Sequence, residues 1–270
     1  MFALLSVVFQ AFGQVSSAQS SRKNGAELTL AWVSITALFV ISITYFTVRP
    51  DSPANLPVGI IGGVFGLVGL YALFGAFRKT GTAVASAVVA ASSSLVVSVA
   101  SVLEGSPLGP TKLVGLGLGL CALALFTQLT KGESLSVGVP LATLAGTLFG
   151  FYVLMLNGIS ESQSDLATLL VARVVIALPI CAVVLAKSRS TRVVTSIPLA
   201  AVVAGAFDSM GNLFLLLALR FDNLLLIGAL SAVVPVIAGV TAAVVLREKL
   251  SRRQLVALLV AVTGAGLLSV

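Results

Sequence analysis

Residues 74–105 read FGAFRKTGTAVASAVVAASSSLVVSVASVLEG, and residues 217–248 read LALRFDNLLLIGALSAVVPVIAGVTAAVVLRE. Both stretches start with a short basic turn, continue as an apolar span rich in small residues, and reach an acidic residue. A similar closing span follows each stretch, over residues 111–126 in one case and 253–268 in the other. This shared order predicts a chain built from two similar halves.

The composition around these stretches predicts a membrane protein. Of the 270 residues, 58% are hydrophobic and only 9% are charged, and the mean hydropathy is +1.14. Soluble domains carry roughly 25% charged residues, which keep their surfaces dissolved. Because 25 charged side chains are too few to cover a chain of this length, from 16 Lys and Arg plus 9 Asp and Glu, its apolar surface must face lipid.

Cutting the chain where charges, proline and glycine cluster leaves ten apolar runs of membrane-crossing length. Their continuity favours helices over a barrel, whose strands would alternate in polarity. The first run has no basic segment before it and is therefore read as a span and not as a signal peptide. The predicted spans cover residues 1–18, 28–48, 56–77, 82–102, 113–129, 137–159, 166–186, 197–219, 224–246 and 255–270.

Five spans in each half is an odd number, so the two halves must lie in the membrane with opposite orientation. The predicted fold is thus an all-α integral membrane protein of about ten transmembrane helices in two inverted five-helix repeats, over residues 1–131 and 132–270. Inverted repeats are common in secondary transporters, whose substrate site lies near the midplane.

Lysine and arginine are distributed unevenly between the two sides of this predicted bundle. The connectors on one side carry 12 of them and those on the other side carry 3, with Arg173 inside a span completing the 16. The positive-inside rule makes the richer side cytoplasmic and predicts that both termini lie outside.

Only two charged side chains, Arg173 and Asp208, fall near the middle of predicted spans. A charge at that depth costs about 2.5 to 3.5 kcal/mol on insertion scales, so each needs a partner or water. Both lie about 18 to 21 Å from the same connector at 1.5 Å per residue, which makes an ion pair available. Two interpretations remain open: the pair lines a transport cavity, or it only locks two helices together.

Uncharged polar residues extend this candidate site. Gln10 and Gln14 lie one turn apart on the same face of the first helix, and Asn212 lies one turn from Asp208. Tyr152 in the sixth span completes the predicted substrate-binding or coupling set. Amides inside a membrane either join helices or face a wet cavity, and both roles remain open.

The last 27 residues, VVLREKLSRRQLVALLVAVTGAGLLSV, resemble the closing pattern of EamA-type domains in the drug/metabolite transporter superfamily. The first half has a fainter copy, VLEGSPLGPTKLVGLGLGL, in which Glu104 occupies the place of Glu248. Arg173, in LLVARVVIALP, is similar to an arginine often found in the second helix of such domains, although the first half has no matching arginine. The resemblance implies ten helices, an inverted repeat, and export or exchange of small metabolites; its ten-helix members would place the termini in the cytoplasm, against the charge distribution.

The sequence favours a secondary transporter of a small polar metabolite in the plasma or inner membrane. It has no histidine and no phosphate-binding loop, so it predicts no enzyme, metal centre or cofactor, and transport driven by a gradient. Expected partners are a small-molecule substrate and membrane lipids, with no nucleic acid, because the basic residues lie in short connectors. A second copy of the chain, in a homodimer, is a further candidate partner. A structural or partner-binding membrane subunit, and a lipid-linked or cation carrier of the same superfamily, remain alternative functions.

Overall fold

The computed structural model describes residues 1–103, 109–128, 133–159, 162–187, 197–221, 234–248 and 251–268. These residues form ten α-helices, and no strand occurs among them. The helices are α1 Phe2–Asn24, α2 Ala26–Val48, α3 Leu56–Thr80, α4 Thr82–Leu103, α5 Pro110–Gln128, α6 Glu133–Asn157, α7 Asp165–Lys187, α8 Leu199–Phe221, α9 Val234–Val245 and α10 Arg252–Leu268.

Each predicted span overlaps one of these helices, although residues 224–233 of the ninth span lie outside the described part of the chain. Five helices, α2, α3, α6, α7 and α8, are long and apolar enough to cross a membrane by length and composition. Helix α1 is not among these five, and it runs six residues beyond its predicted end at Ala18. The extra turns are possible because their polar side chains are paired, with the Ser20 hydroxyl 2.9 Å from that of Thr29.

The contacts among the helices follow the same pattern when α1–α5 are exchanged for their counterparts α6–α10. Helix α1 packs along α8 as α6 packs along α3, and α2 packs against α8 as α7 packs against α3. Helix α4 contacts α6 as α9 contacts α1. The pairs α2 with α7, α4 with α9 and α5 with α10 join each helix to its own counterpart.

Glycines at the crossings establish which residues correspond. A Cβ atom on Gly205 would lie 2.5 Å from the carbonyl oxygen of Val33, and one on Gly63 would lie 2.9 Å from that of Ala172. Helices α8 and α2 therefore meet as α3 and α7 do. Such small residues let backbones approach closely where lipid supplies no hydrophobic drive for helix association.

The same correspondence holds at the α1–α8 and α6–α3 crossings. Gly211 of α8 lies against the side chain of Gln10, and Gly69 of α3 lies against the ring of Phe149. Gln10 and Phe149 thus occupy equivalent positions in the two halves.

Phenylalanines seal one edge of the α1–α8 contact. The ring centroid of Phe9 lies 5.4 Å from that of Phe214 and 5.7 Å from that of Phe207. The ring centroid of Phe12 lies 5.8 Å from that of Phe207. Phe2 continues the row at 6.5 Å from Phe214. Aromatic pairs at these distances contribute about 0.5 to 1.5 kcal/mol beyond the area they bury, so they help to hold α1 against α8.

Candidate functional site

The two charges predicted to meet within the bundle do meet. Arg173 Nη2 of α7 lies 2.8 Å from Asp208 Oδ2 of α8, and the two side chains are 5% and 26% exposed. Helices α7 and α8 touch each other at few points, whereas α2 packs against both of them. The ion pair therefore bridges two helices that are otherwise held apart by a third.

The pair balances charge without using all of its hydrogen-bonding capacity. Asn212 Nδ2 donates to the backbone carbonyl of Asp208 at 2.8 Å and to its Oδ1 at 3.3 Å. Among the described residues, Arg173 Nε and Asp208 Oδ2 have no hydrogen-bond partner of acceptable geometry. Asp208 Oδ2 is compensated by its ion pair with Arg173 Nη2, whereas Arg173 Nε loses its hydration without compensation and is the atom left for a ligand.

The position of Asp208 around the axis of α8 indicates whether the exposed part of its side chain faces lipid or the interior of the bundle. The outer face of α8 is marked by the exposed side chains of Leu199, Val203 and Met210. At 3.6 residues per turn, Asp208 and Asn212 lie on the opposite side of the helix. Because both are partly exposed on that inner side, they face a space inside the bundle and not lipid.

Helix α1 repeats this arrangement. Its outer face carries the exposed side chains of Leu4 and Phe12. Gln10 and Gln14 lie roughly opposite that face and are partly exposed there. The inner sides of α1 and α8 therefore both present polar groups to the interior of the bundle.

Both glutamine side chains are held by serines. Ser6 Oγ donates to the carbonyl oxygen of Gly211 at 2.9 Å and accepts from Gln10 Nε2 at 2.9 Å. Ser86 Oγ of α4 donates to Gln14 Oε1 at 2.5 Å. Gln10 is thereby tied to α8 beside Asn212, while Gln14 is tied to α4.

Tyr152 approaches the ion pair from α6. Its ring packs over Gly62 of α3, where an added Cβ would lie 2.9 Å from the ring. The ring also packs against the apolar cluster that includes Leu169 of α7 and Leu216 of α8, the two helices that carry the ion pair. The structure thus groups Arg173, Asp208, Asn212 and Tyr152 around one centre, with Gln10 adjacent to it and Gln14 directed towards α4.

Sequence reasoning missed Ser34. Its hydroxyl is unpaired within the described structure, and the residue is only 1% exposed. Val33 of α2 corresponds to Ala172 of α7, so the next residues, Ser34 and Arg173, also correspond. Gly63 of α3 corresponds to Gly205 of α8, so Gly66 and Asp208, three residues onward, correspond as well. The first half therefore lacks the ion pair.

Glu248, the acidic residue that closes the second repeated stretch, lies at the basic end of the bundle. Arg22 Nη2 at the end of α1 lies 2.6 Å from Glu248 Oε1. The backbone N–H of Thr82 donates to both Glu248 oxygens at 3.1 and 3.0 Å, and Thr82 Oγ1 donates to Oε1 at 2.7 Å. Glu248 therefore caps the start of α4, where a negative charge is favoured.

The environment of Glu248 lowers its pKa. Burial alone would raise the pKa of this carboxyl, but the hydrogen bonds from Thr82 and the adjacent Arg22 outweigh burial and bring the pKa below its usual value. Arg22 Nε also donates to the carbonyl of Phe77 in the last turn of α3 at 3.1 Å. The pair thus joins the second half of the chain to the α3–α4 turn of the first.

The opposite end carries its own connections between the halves. Asn55 Nδ2 donates to Gln163 Oε1 at 2.9 Å, and the N–H of Ser164 donates to the carbonyl of Pro53 at 2.9 Å. Within the second half, Asp165 Oδ2 accepts from Arg220 Nε at 2.8 Å and joins α7 to α8 at the same end. The candidate site therefore lies between two tied ends of the bundle.

Comparison with known proteins supports the same architecture. A solved crystal structure of a protein matches with a TM-score of 0.64 and 18% sequence identity, over 98% of this chain and 95% of that chain. At this identity, the likeness concerns the fold alone. No curated protein matches the chain.

A match to a protein-family model over nearly the whole chain establishes the family of this protein. The model of the EamA-like transporter family matches residues 1–128 and residues 136–270, which is nearly the whole chain in two copies. The two matches agree with the two sets of helices whose contacts mirror each other, and with the long apolar helices of a multi-pass integral membrane protein. The chain belongs to the EamA-like transporter family, within the drug/metabolite transporter superfamily.

Proposed function

We propose that this protein is a secondary transporter that exports or exchanges a small polar metabolite by alternating access. The substrate occupies the interior of the bundle that the inner faces of α1 and α8 border, beside the Arg173–Asp208 pair. The observation that carries the proposal is this pair itself, because an ionised couple that leaves Arg173 Nε without a hydrogen bond is expensive inside a membrane, and a ligand would offset that cost.

The proposed architecture has ten transmembrane helices in two inverted repeats, with residues 1–131 forming one and residues 132–270 the other. The exchange of packing partners between the halves supports it. In such transporters the halves rock about a central site, which is open alternately to each side. Plasma or inner membrane placement, and a homodimer, belong to the same proposal.

Two alternatives predict different contents for the inner space. A structural or partner-binding subunit would close it with apolar side chains, whereas α1 and α8 present Gln10, Gln14, Asp208 and Asn212 there. A divalent-cation carrier would place several carboxylates together. Within the described residues, no group of three or more His, Cys, Asp or Glu occurs, so a polar organic substrate is the better fit.

The test is uptake by purified protein in liposomes, against labelled amino acids, nucleosides and small cations. We expect the Asp208→Asn variant to lose about tenfold or more in transport of whichever solute the wild type carries, equivalent to about 1.4 kcal/mol. The matched control is Asp165→Asn, which removes the carboxylate that pairs with the exposed Arg220 at the start of α7, away from the candidate site. Normal transport by the Asp208→Asn protein would refute the site, and absence of any uptake by the wild type would refute the function.

A further inference from the structure

The charges of the candidate site sum to zero. Arg173 and Asp208 are the charged side chains that lie away from helix ends in the described helices, and they stand in direct contact. We infer that the substrate carries no net charge and presents both hydrogen-bond donors and acceptors to the site. This inference rests on the proposed transport function and adds the substrate class.

A net-neutral ligand follows from the electrostatics of a site surrounded by lipid. A monovalent anion would match Arg173 but leave Asp208 with no partner, and a monovalent cation would do the reverse. Removing one partner of a buried pair leaves an uncompensated charge, which is strongly unfavourable in a low-dielectric interior. A zwitterion can satisfy both side chains together, and an uncharged polyhydroxyl compound can leave the pair intact.

The glutamines show why the ligand should offer both donors and acceptors. The single proton of Ser6 Oγ is donated to Gly211, so Ser6 can only accept from Gln10. The Gln10 amide group must therefore point its nitrogen at Ser6, which leaves Oε1 and the second N–H of that amide for a ligand. Ser86 holds Gln14 in the opposite sense, with its oxygen engaged and its nitrogen left to donate.

These assignments leave α1 with an acceptor oxygen on Gln10 and with donor N–H groups on both glutamines, a single helical turn apart. On α8, Asn212 uses its nitrogen for Asp208 and keeps its oxygen as an acceptor. Ser6 and Ser86 are thus positioning residues that act through Gln10 and Gln14. A ligand with only acceptors or only donors would leave part of this wall unsatisfied.

The inference is tested by selectivity in liposomes, using four probe classes: zwitterionic α-amino acids, a polyol, a monocarboxylate and a tetraalkylammonium cation. The wild type should prefer a neutral class by about tenfold or more over both ions. Asp208→Asn leaves the site with a net positive charge and should shift relative preference towards the monocarboxylate. Arg173→Gln leaves it negative and should shift preference towards the cation.

The double variant Arg173→Gln/Asp208→Asn restores neutrality and covers the case in which a single variant fails to fold. It should keep the preference for neutral probes. Preferential uptake of an ion by the wild type, or a double variant that prefers an ion, would overturn the inference while leaving the transporter proposal standing. If the wild type neither transports nor is thermally stabilised by any probe, the proposed function fails and the inference fails with it.

Discussion

Replacing Glu248 by glutamine should destabilise the protein measurably, because one side chain holds three elements together. The carboxylate accepts from the N–H and hydroxyl of Thr82 and pairs with Arg22. Glutamine keeps the shape and one acceptor oxygen but loses the charge. The α4 start then loses its anionic cap, and Arg22 keeps only its contacts to Phe77 and Thr82.

The expected magnitude combines these losses. An N-cap contributes about 0.5 to 2 kcal/mol, and a hydrogen bond to a charged group contributes about 1.5 to 3 kcal/mol. Arg22 is 30% exposed, so screening reduces the share of the ion pair. We therefore expect a loss of about 2 kcal/mol, which shifts the midpoint of unfolding by roughly 4 to 8 °C for a chain of this size.

The pH dependence gives a second readout. Because the pKa of Glu248 is lowered on folding, its contribution is present above its unfolded pKa of about 4.3 and is lost as the pH falls through the lower folded value. Thermal unfolding in detergent micelles should separate wild type from Glu248→Gln at pH 7, and the difference should shrink towards pH 3.

The control is Asp51→Asn, which removes an exposed carboxylate from the connector between α2 and α3. It should unfold within about 2 °C of the wild type, since exposed substitutions rarely change stability by more than about 0.5 kcal/mol. If Glu248→Gln unfolds together with Asp51→Asn at pH 7, or if its deficit is the same at both pH values, the capping role is wrong.

Three further predictions concern other parts of the molecule. Ser6→Ala should release the Gln10 amide and raise the half-saturating concentration of the substrate about threefold or more in liposome uptake; an unchanged value with normal folding would contradict the positioning role. Gly205→Ala should lower the thermal stability by about 1 to 3 kcal/mol because its Cβ meets the α2 backbone, while Gly117→Ala, with open space around it, should be neutral or stabilising. A cysteine at Ser251 should react with an impermeant maleimide only after cells are permeabilised, and labelling of intact cells would refute the predicted orientation.

Much of the bundle could be predicted because lipid imposes length and charge rules directly on the sequence. Ten apolar runs gave ten helices, and the cost of an isolated charge predicted that Arg173 would pair with Asp208. The first helix was less predictable, since its polar residues Ser20 and Ser21 suggested an end at Ala18. Both are buried, with the Ser20 hydroxyl paired to Thr29 of α2 and the Ser21 hydroxyl donating to the carbonyl of Ala18, which removes that penalty.

The surroundings of the ion pair could not be read from the sequence for a related reason. Helices α7 and α8 are consecutive, yet α2 packs against both and keeps them largely apart. The approach of Tyr152 depends on Gly62 of a third helix. Such relations depend on how helices cross, whereas apolar periodicity specifies only which face of each helix turns inward.

The mirrored contacts finally separate what the fold requires from what the site requires. Small residues recur at equivalent crossings, as Gly205 does with Gly63, because both halves must pack equally closely. At the centre the equivalence fails: Arg173 matches Ser34, Asp208 matches Gly66, and Gln10 matches Phe149. A buried ion pair is weak support for stability, and apolar replacement of such pairs is often neutral or stabilising. The first half packs the equivalent positions without charge, so packing alone does not demand the pair, which favours a role in binding the substrate.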